Sequence, residues 1–462
     1  MAKNANKTEL FESMPIPKAV MNLSIPMVLS SLVMVVYNLT DTYFVGMLND
    51  PIQTAAVTLA ATLLLAFNAI NNLFGVGGSS MMSRALGAKD FDRVKRSCSF
   101  SFWCCFVFSL VYSAVYIAAE TPLLTLLGAT GETIGATKDY CLWTVSIGAL
   151  PAILHVVMAY FIRSEGSATH ASIGTISGCV VNMILDPIFI LPWGLNMGAS
   201  GAGLATLIGN TFATLYFFGF LIAKRGKTFV CIDPRKAVPN KDIVKGVFGV
   251  GVPASIQNLL NVVGMTILNN FAAGYGPTVV ASIGISYKVY MVPMQITLGA
   301  SQGVMPLIGY NYASGNIARM KKALFFTYKV CLSFLVVFAV GMFALSPKLI
   351  ALFMKDSEVI RLGGFYLKGY ALGLVFLCID FLGVGCCQAI GKGGLTLLFA
   401  VLRKIVLEIP FLFILNHFFH EKALSFAQGS AEFILAIASL IILIRLIRSL
   451  EKNHTPNLKS DE

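Results

Sequence analysis

Two aspartates, Asp41 and Asp186, stand inside apolar stretches long enough to cross a membrane. Asp41 interrupts the run from Leu29 to Leu48, within Tyr37-Asn38-Leu39-Thr40-Asp41-Thr42, so it has polar company in Asn38, Thr40 and Thr42. Asp186 closes the stripe Asn182-Met183-Ile184-Leu185-Asp186-Pro187. A carboxylate at mid-bilayer costs roughly 2.5–3.5 kcal/mol even on a lenient insertion scale. A chain that carries this cost twice is expected to use the groups, and the usual use is to handle a proton or a metal cation.

The residues around Asp186 sharpen that expectation. Gly174, Gly178, Asn182 and Asp186 recur every four residues and share one helix face. The glycines allow a neighbouring helix to approach closely, and Asn182 and Asp186 offer oxygens one turn apart. Pro187 has no amide hydrogen and its ring clashes with the Met183 carbonyl, which predicts a kink and a freed backbone oxygen. Downstream, Gly198-Ala199-Ser200-Gly201-Ala202-Gly203 again predicts tight packing, and Thr206 adds a hydroxyl oxygen. If Asp41 and Asp186 meet in a low dielectric, both cannot readily ionise, and they would titrate as a coupled unit. The same oxygens suit Na⁺, a hard cation. The plainer alternatives are a solvated helix end for Asp41 and a structural kink for Asp186.

The second half of the chain carries its own intramembrane charges: Lys288, Asp380, Arg403, Lys404 and Glu408. Lys404 and Glu408 are spaced i,i+4 and can pair. One reading is internal salt bridging, with long cations snorkelling. The other is that Lys288 and Asp380 line a cavity and exchange partners during transport.

The elements that must position these groups follow from composition. The chain has 462 residues, 56% hydrophobic and 12% charged, with a mean hydropathy of +0.78. Soluble domains carry about 25% charged residues, so this is a polytopic helical membrane protein. Spanning stretches fall near 20–48, 53–82, 97–119, 136–162, 171–191 and 198–223, then near 246–273, 278–309, 323–346, 362–390, 394–416 and 424–447. The expectation is an all-α fold of twelve helices: a first lobe over 1–223, a basic cytoplasmic linker over 224–245, and a second lobe over 246–462. The first stretch has no evident cleavage site and reads as a retained helix.

The lobes resemble each other. Ile25-Pro26 opens the first segment and Val252-Pro253 the seventh; Asp90-Phe91-Asp92-Arg93 follows the second and Asn316-Ile317-Ala318-Arg319 the eighth. The offset of about 227 residues marks an internal repeat. Each repeat holds an even number of spans, so the repeats are parallel, and such transporters place substrate between lobes near mid-membrane. Basic residues gather in the loops with Arg84 to Arg96, with Lys224 to Lys245 and with Arg319 to Lys322, and in the tail with Arg445, Arg448, Lys452 and Lys459. Few lie on the other side. Both termini are therefore expected in the cytoplasm, with the protein in the plasma (inner) membrane.

Other classes find little support. The net charge of +12 arises from those loops and is no nucleic-acid signal. The ten cysteines show no zinc or disulfide spacing and read as small apolar fillers. The stretch Gly385 to Lys392 has the wrong spacing for a phosphate loop, and Gly393 follows the lysine. No catalytic constellation is evident.

The chain resembles the multidrug and toxin extrusion (MATE) transporters, in the branch of the DinF- and MepA-like proteins. The resemblance rests on Asp41-Thr42-Tyr43-Phe44-Val45-Gly46, Arg84-Ala85-Leu86-Gly87-Ala88, Arg163-Ser164-Glu165-Gly166, and Asn182 to Pro187 with Gly198 to Thr206. It implies a V-shaped pair of six-helix bundles exporting organic cations or amphipathic compounds against H⁺ or Na⁺. It also implies a coupling-ion site of Asp41, Asn182, Asp186 and Thr206, joined by Tyr140. A second branch of the family, the NorM-like one, places a glutamate on the seventh helix, where this chain has Gln257, which cannot titrate. The expected partners are drug-like, cationic small molecules and membrane lipid, with no nucleic acid. No cofactor beyond the coupling ion is expected, and the chain is expected to act as a monomer. The alternative is a flippase for a lipid-linked saccharide or polyprenyl carrier, which requires a strongly cationic cavity; Lys288 and Arg403 are the clear candidates for one.

Overall fold

The computed structural model describes residues 8–454; Lys459 of the basic tail and both chain ends lie outside them. Among the described residues helix follows helix, with no strand. The first six spans are α1 (Ile16–Gly46), α2 (Pro51–Gly87), α3 (Phe91–Ala118), α4 (Thr133–Ser146 and Ala149–Ser164, bent by 42°), α5 (Ala168–Ile190) and α6 (Ala199–Ala223). Then come α7 (Lys241–Gly274), α8 (Pro277–Ala313), α9 (Ile317–Ala351) and α10 (Ser357–Ala389).

The last apolar stretch, Gly393–Lys452, is 60 residues long. At 1.5 Å per residue that is about 90 Å, three times the hydrocarbon thickness. A 3₁₀ turn at His420–Lys422, entered with His420 at φ 52°, divides it. The resulting α11 (393–419) and α12 (Ala423–His454) pack against each other. The described chain thus holds the twelve spans expected.

The repeat is visible in local geometry. Asp90 caps α3 by accepting a hydrogen bond from Arg93 N at 3.0 Å, and Asn316 caps α9 from Arg319 N at 3.0 Å. Each cap follows a left-handed residue, Lys89 at φ 59° and Gly315 at φ 76°. A capping oxygen satisfies one of the amides that the first turn of a helix leaves free.

Two compact units emerge. One is built on Leu29–Ser255; the other combines Phe11–Val28 with the chain from Ile256 onward. Two of the boundaries fall inside long helices, two residues past Pro26 in α1 and two past Pro253 in α7.

The basic linker belongs to the first unit and is held there by specific bonds. Glu165, buried at the end of α4, accepts from Thr228 Oγ1 at 2.7 Å and from Phe229 N at 2.8 Å. From α3, Ser99 Oγ donates to Cys231 O and Trp103 Nε1 to Ile232 O, at 2.9 and 3.0 Å. Phe91 stacks on Phe229. The ten cysteines are free thiols.

Candidate functional site

In the first unit, glycine chemistry sets the spacing of α5 and α6. A Cβ on Gly178 would stand 2.8 Å from Gly209 O, and one on Gly209 would stand 2.7 Å from Gly178 O. The two backbones therefore touch where both residues lack side chains. One turn further along α5, Asn182 Nδ2 donates to Thr206 Oγ1 across this contact at 3.2 Å. The small-residue run before Thr206 serves the same end. Gly203 leaves room for Tyr140 O, from which a Cβ would be only 2.9 Å away. The α6 N-terminus is held by Gln53 of α2, whose Oε1 accepts from Ala199 N at 2.8 Å.

Asp186 lies one turn beyond Asn182 and is fully buried; Asn182 is 3% exposed. Asp41 interacts electrostatically with Asp186. Tyr140, buried on α4, faces both carboxylates. The five residues singled out from the sequence, Asp41, Tyr140, Asn182, Asp186 and Thr206, therefore lie together. The structure adds Tyr37, one turn before Asp41 on α1, which faces both aspartates and lines the same small cavity as Thr206. Its i,i+4 spacing from Asp41 was the available signal. The polar residues beside Asp41 do not join: Asn38, Thr40 and Thr42 bond the backbone oxygens of Met34, Val36 and Asn38 in their own helix. Pro187 sits in the last turn of α5, which stays helical to Ile190, so its disruption is confined to that end.

Four side-chain oxygens at this site are buried without a hydrogen-bond donor: Asp41 Oδ1, Asn182 Oδ1, and both Asp186 oxygens. Neither carboxylate is paired with Lys or Arg among the described residues. Beside them, toward the start of α5, lies a cavity of about 20 Å³ lined by Tyr37, His155, Thr175, Asn182, Thr206 and Asn210. That is room for one water-sized occupant among several polar partners. Buried carboxylate oxygens without donors are compensated by a proton or a cation. Among the described residues no group of three His, Cys, Asp or Glu exists that could hold a metal ion. Two carboxylates with amide and hydroxyl oxygens match a proton or Na⁺.

The second unit handles its charges differently. Arg403 Nη2 meets Glu432 Oε1 at 2.5 Å, and its Nη1 stands 3.6 Å from Asp380 Oδ2. Lys404 Nζ reaches both Glu408 oxygens at 2.7 and 2.6 Å. All five residues are buried. A π-helical stretch, Leu402–Glu408, carries Arg403, Lys404 and Glu408; such bulges recur at functional sites. Glu432, in the last apolar segment, was not singled out from the sequence, although the argument applied to Asp41 fits it equally. Lys288 is exposed and stays apart from this network. Gln257 accepts from Gln388 Nε2 at 3.4 Å.

The MatE family model matches residues 26–188 and 253–414, one match per repeat. The chain is 34% identical to multidrug export protein MepA of Staphylococcus saprophyticus, covering 94% of this chain and 95% of that one. It is 33% identical, with the same coverage, to MepA of Staphylococcus aureus. Among solved structures, an outward-facing multidrug resistance MATE transporter of the MOP superfamily superposes with a TM-score of 0.90 at 26% identity, over 96% of this chain and 98% of that one. A MATE protein in a straight conformation superposes with a TM-score of 0.90 at 25% identity, over 96% and 99%.

Proposed function

Because the chain belongs to the MATE family, we propose that it is a multidrug exporter that drives drug-like, cationic or amphipathic compounds out of the cell in exchange for H⁺ or Na⁺. It is a multi-pass membrane transporter and not an enzyme. The observation that carries the coupling is the set of four donorless buried oxygens on Asp41, Asn182 and Asp186, with no basic residue among the described ones to neutralise the carboxylates. The names of the staphylococcal relatives support drug export.

The cycle follows from differential affinity. In an outward-open state the ion occupies Asp41, Asn182, Asp186 and Thr206, with Tyr37 and Tyr140 beside it. Neutralising the carboxylates lets α1 repack and releases the substrate outward. The loaded protein reverts to inward-open and sheds the ion. A ligand shifts such an equilibrium only as far as its affinities for the two states differ. The protein sits in the plasma membrane as a monomer with both ends cytoplasmic.

A flippase for lipid-linked diphosphates would need free cations. Arg403 is engaged by Asp380 and Glu432, and Lys404 by Glu408, leaving Lys288 as the exposed candidate. Proteoliposomes holding the full chain and a cationic dye test the reading. Uphill dye export is expected when a proton or sodium gradient is imposed. Dye movement indifferent to both gradients overturns it.

A further inference from the structure

Three cations within the spans of the second unit have partners. Arg403 lies on Glu432, Lys404 on Glu408, and Lys368 over the Phe343 ring at 5.4 Å. Lys288 on α8 has neither a carboxylate nor a ring among the described residues, and it is exposed. Snorkelling does not account for it. From Pro277, the first residue of α8, to Lys288 the helix climbs about 16 Å at 1.5 Å per residue, roughly half the hydrocarbon thickness. No charged residue lies between the two. Lys329 on α9 is the contrast. It follows Lys322, in the basic first turns of α9, by two turns, and Phe325 and Val336 on its own face are exposed apolar side chains suited to lipid. Its stem can carry the charge to the headgroups.

The face of α8 that carries Lys288 is not built for lipid. Ser286, Tyr290, Thr297 and Ser301 form the buried side, where Ser286 donates to Gly363 O at 2.8 Å and Ser301 to Phe381 O at 2.9 Å on α10. Lys288 lies on the other side, with Gly284 one turn before it and Gln295 two turns after it. A Cβ on Gly284 would meet nothing within 4 Å, so open space adjoins this face. Among the described residues of α8, Val280 is the one exposed large hydrophobic side chain, whereas α9 exposes Phe334, Val336, Val337 and Val340. A lysine and an amide on one face inside the membrane, with no acid to neutralise the lysine, border water and not acyl chains. An ammonium there repels a plain organic cation and attracts an anionic group.

We propose that Lys288 is a specificity-determining residue whose ammonium binds a carboxylate carried by the exported compound. Of two amphipathic cations of the same shape, the one that also bears a carboxylate gains a charge-assisted hydrogen bond, and the one that lacks it meets an uncompensated positive charge. The body of the compound lies along the open face beside Gly284. The proposal rests on the reading of this chain as a drug exporter and narrows the substrates of that exporter.

Two rhodamines of one skeleton supply the probe, one with a free carboxylate and the other its methyl ester. Fluorescence anisotropy reads the binding of each to the purified full chain for the wild type, Lys288→Met and Lys288→Arg. The measured quantity is the ratio of the two affinities, acid over ester. In Lys288→Met this ratio should fall about ten- to a hundredfold, the worth of a hydrogen bond to a charged group. Lys288→Arg keeps the charge and should keep the ratio. An unchanged ratio in Lys288→Met overturns the proposal, and so does a wild type that binds neither dye. Gradient-driven export of the two dyes from proteoliposomes tests the exporter reading separately. A Lys288-dependent ratio in a protein that exports neither dye leaves the Lys288 contact standing and fails the exporter reading.

Discussion

Asn182 donates its side-chain amide to the Thr206 hydroxyl at 3.2 Å, across the point where α5 and α6 meet glycine to glycine. This bond commits the Asn182 Nδ2 to Thr206, while its Oδ1 is buried without a donor. Thr206→Val keeps the shape and removes the hydroxyl. The half-saturating ion concentration for transport should rise about three- to tenfold, with the protein still folded. Titrating transport against Na⁺ at fixed pH, and against pH without Na⁺, reads the effect and identifies the ion.

The glycine contact makes its own prediction. In Gly178→Ala the new methyl would stand 2.8 Å from Gly209 O and 2.9 Å from Ala213 Cβ. Backbone cannot yield as a flexible side chain does, so the helices must part, at a cost of about 1–3 kcal/mol. Melting temperature and gradient-driven efflux should both fall. Gly219→Ala on the same α6, with nothing within 4 Å of its Cβ, should change neither.

Glu165 predicts a property of the linker. Its buried carboxylate holds Thr228 and Phe229. Glu165→Ala removes the one oxygen, Oε2, that accepts both bonds, and hydrogen bonds to charged groups are each worth about 1.5–3 kcal/mol. Trypsin should then cut after Arg225 or Lys227 several times faster than in the wild type. An unchanged digestion rate would mean that Ser99, Trp103 and the Phe91–Phe229 stack suffice.

Arg403 predicts stability. Arg403→Met leaves Asp380 and Glu432 without their cation, a loss of about 3–5 kcal/mol. Adding Glu432→Leu removes one of the stranded acids and should recover part of it. Thermal unfolding of the single and double variants in detergent checks the sign of the coupling.

The first site was largely legible in the sequence because two cues agree there. An acid inside an apolar span is costly, and a period of four places Gly174, Gly178, Asn182 and Asp186 on one face. Proximity in sequence was the weaker guide: Asn38, Thr40 and Thr42 flank Asp41 yet bond their own helix, while Tyr37 lies on the correct face. Glu432 carried the same cue as Asp41 and was passed over. The unit boundaries inside α1 and α7 were not legible. Apolarity says that a helix spans the membrane, but not which neighbours its two halves pack against. Pro26 and Pro253 marked the places without disclosing their meaning.

The account stands on the aspartate pair, and one measurement bears on it most directly: drug efflux from proteoliposomes under an imposed H⁺ or Na⁺ gradient, comparing the wild type with Asp41→Asn and Asp186→Asn. Each variant removes one ionisable carboxyl and keeps its shape. The account predicts that both retain drug binding and lose gradient-driven export. Full gradient-driven transport by either variant would contradict it.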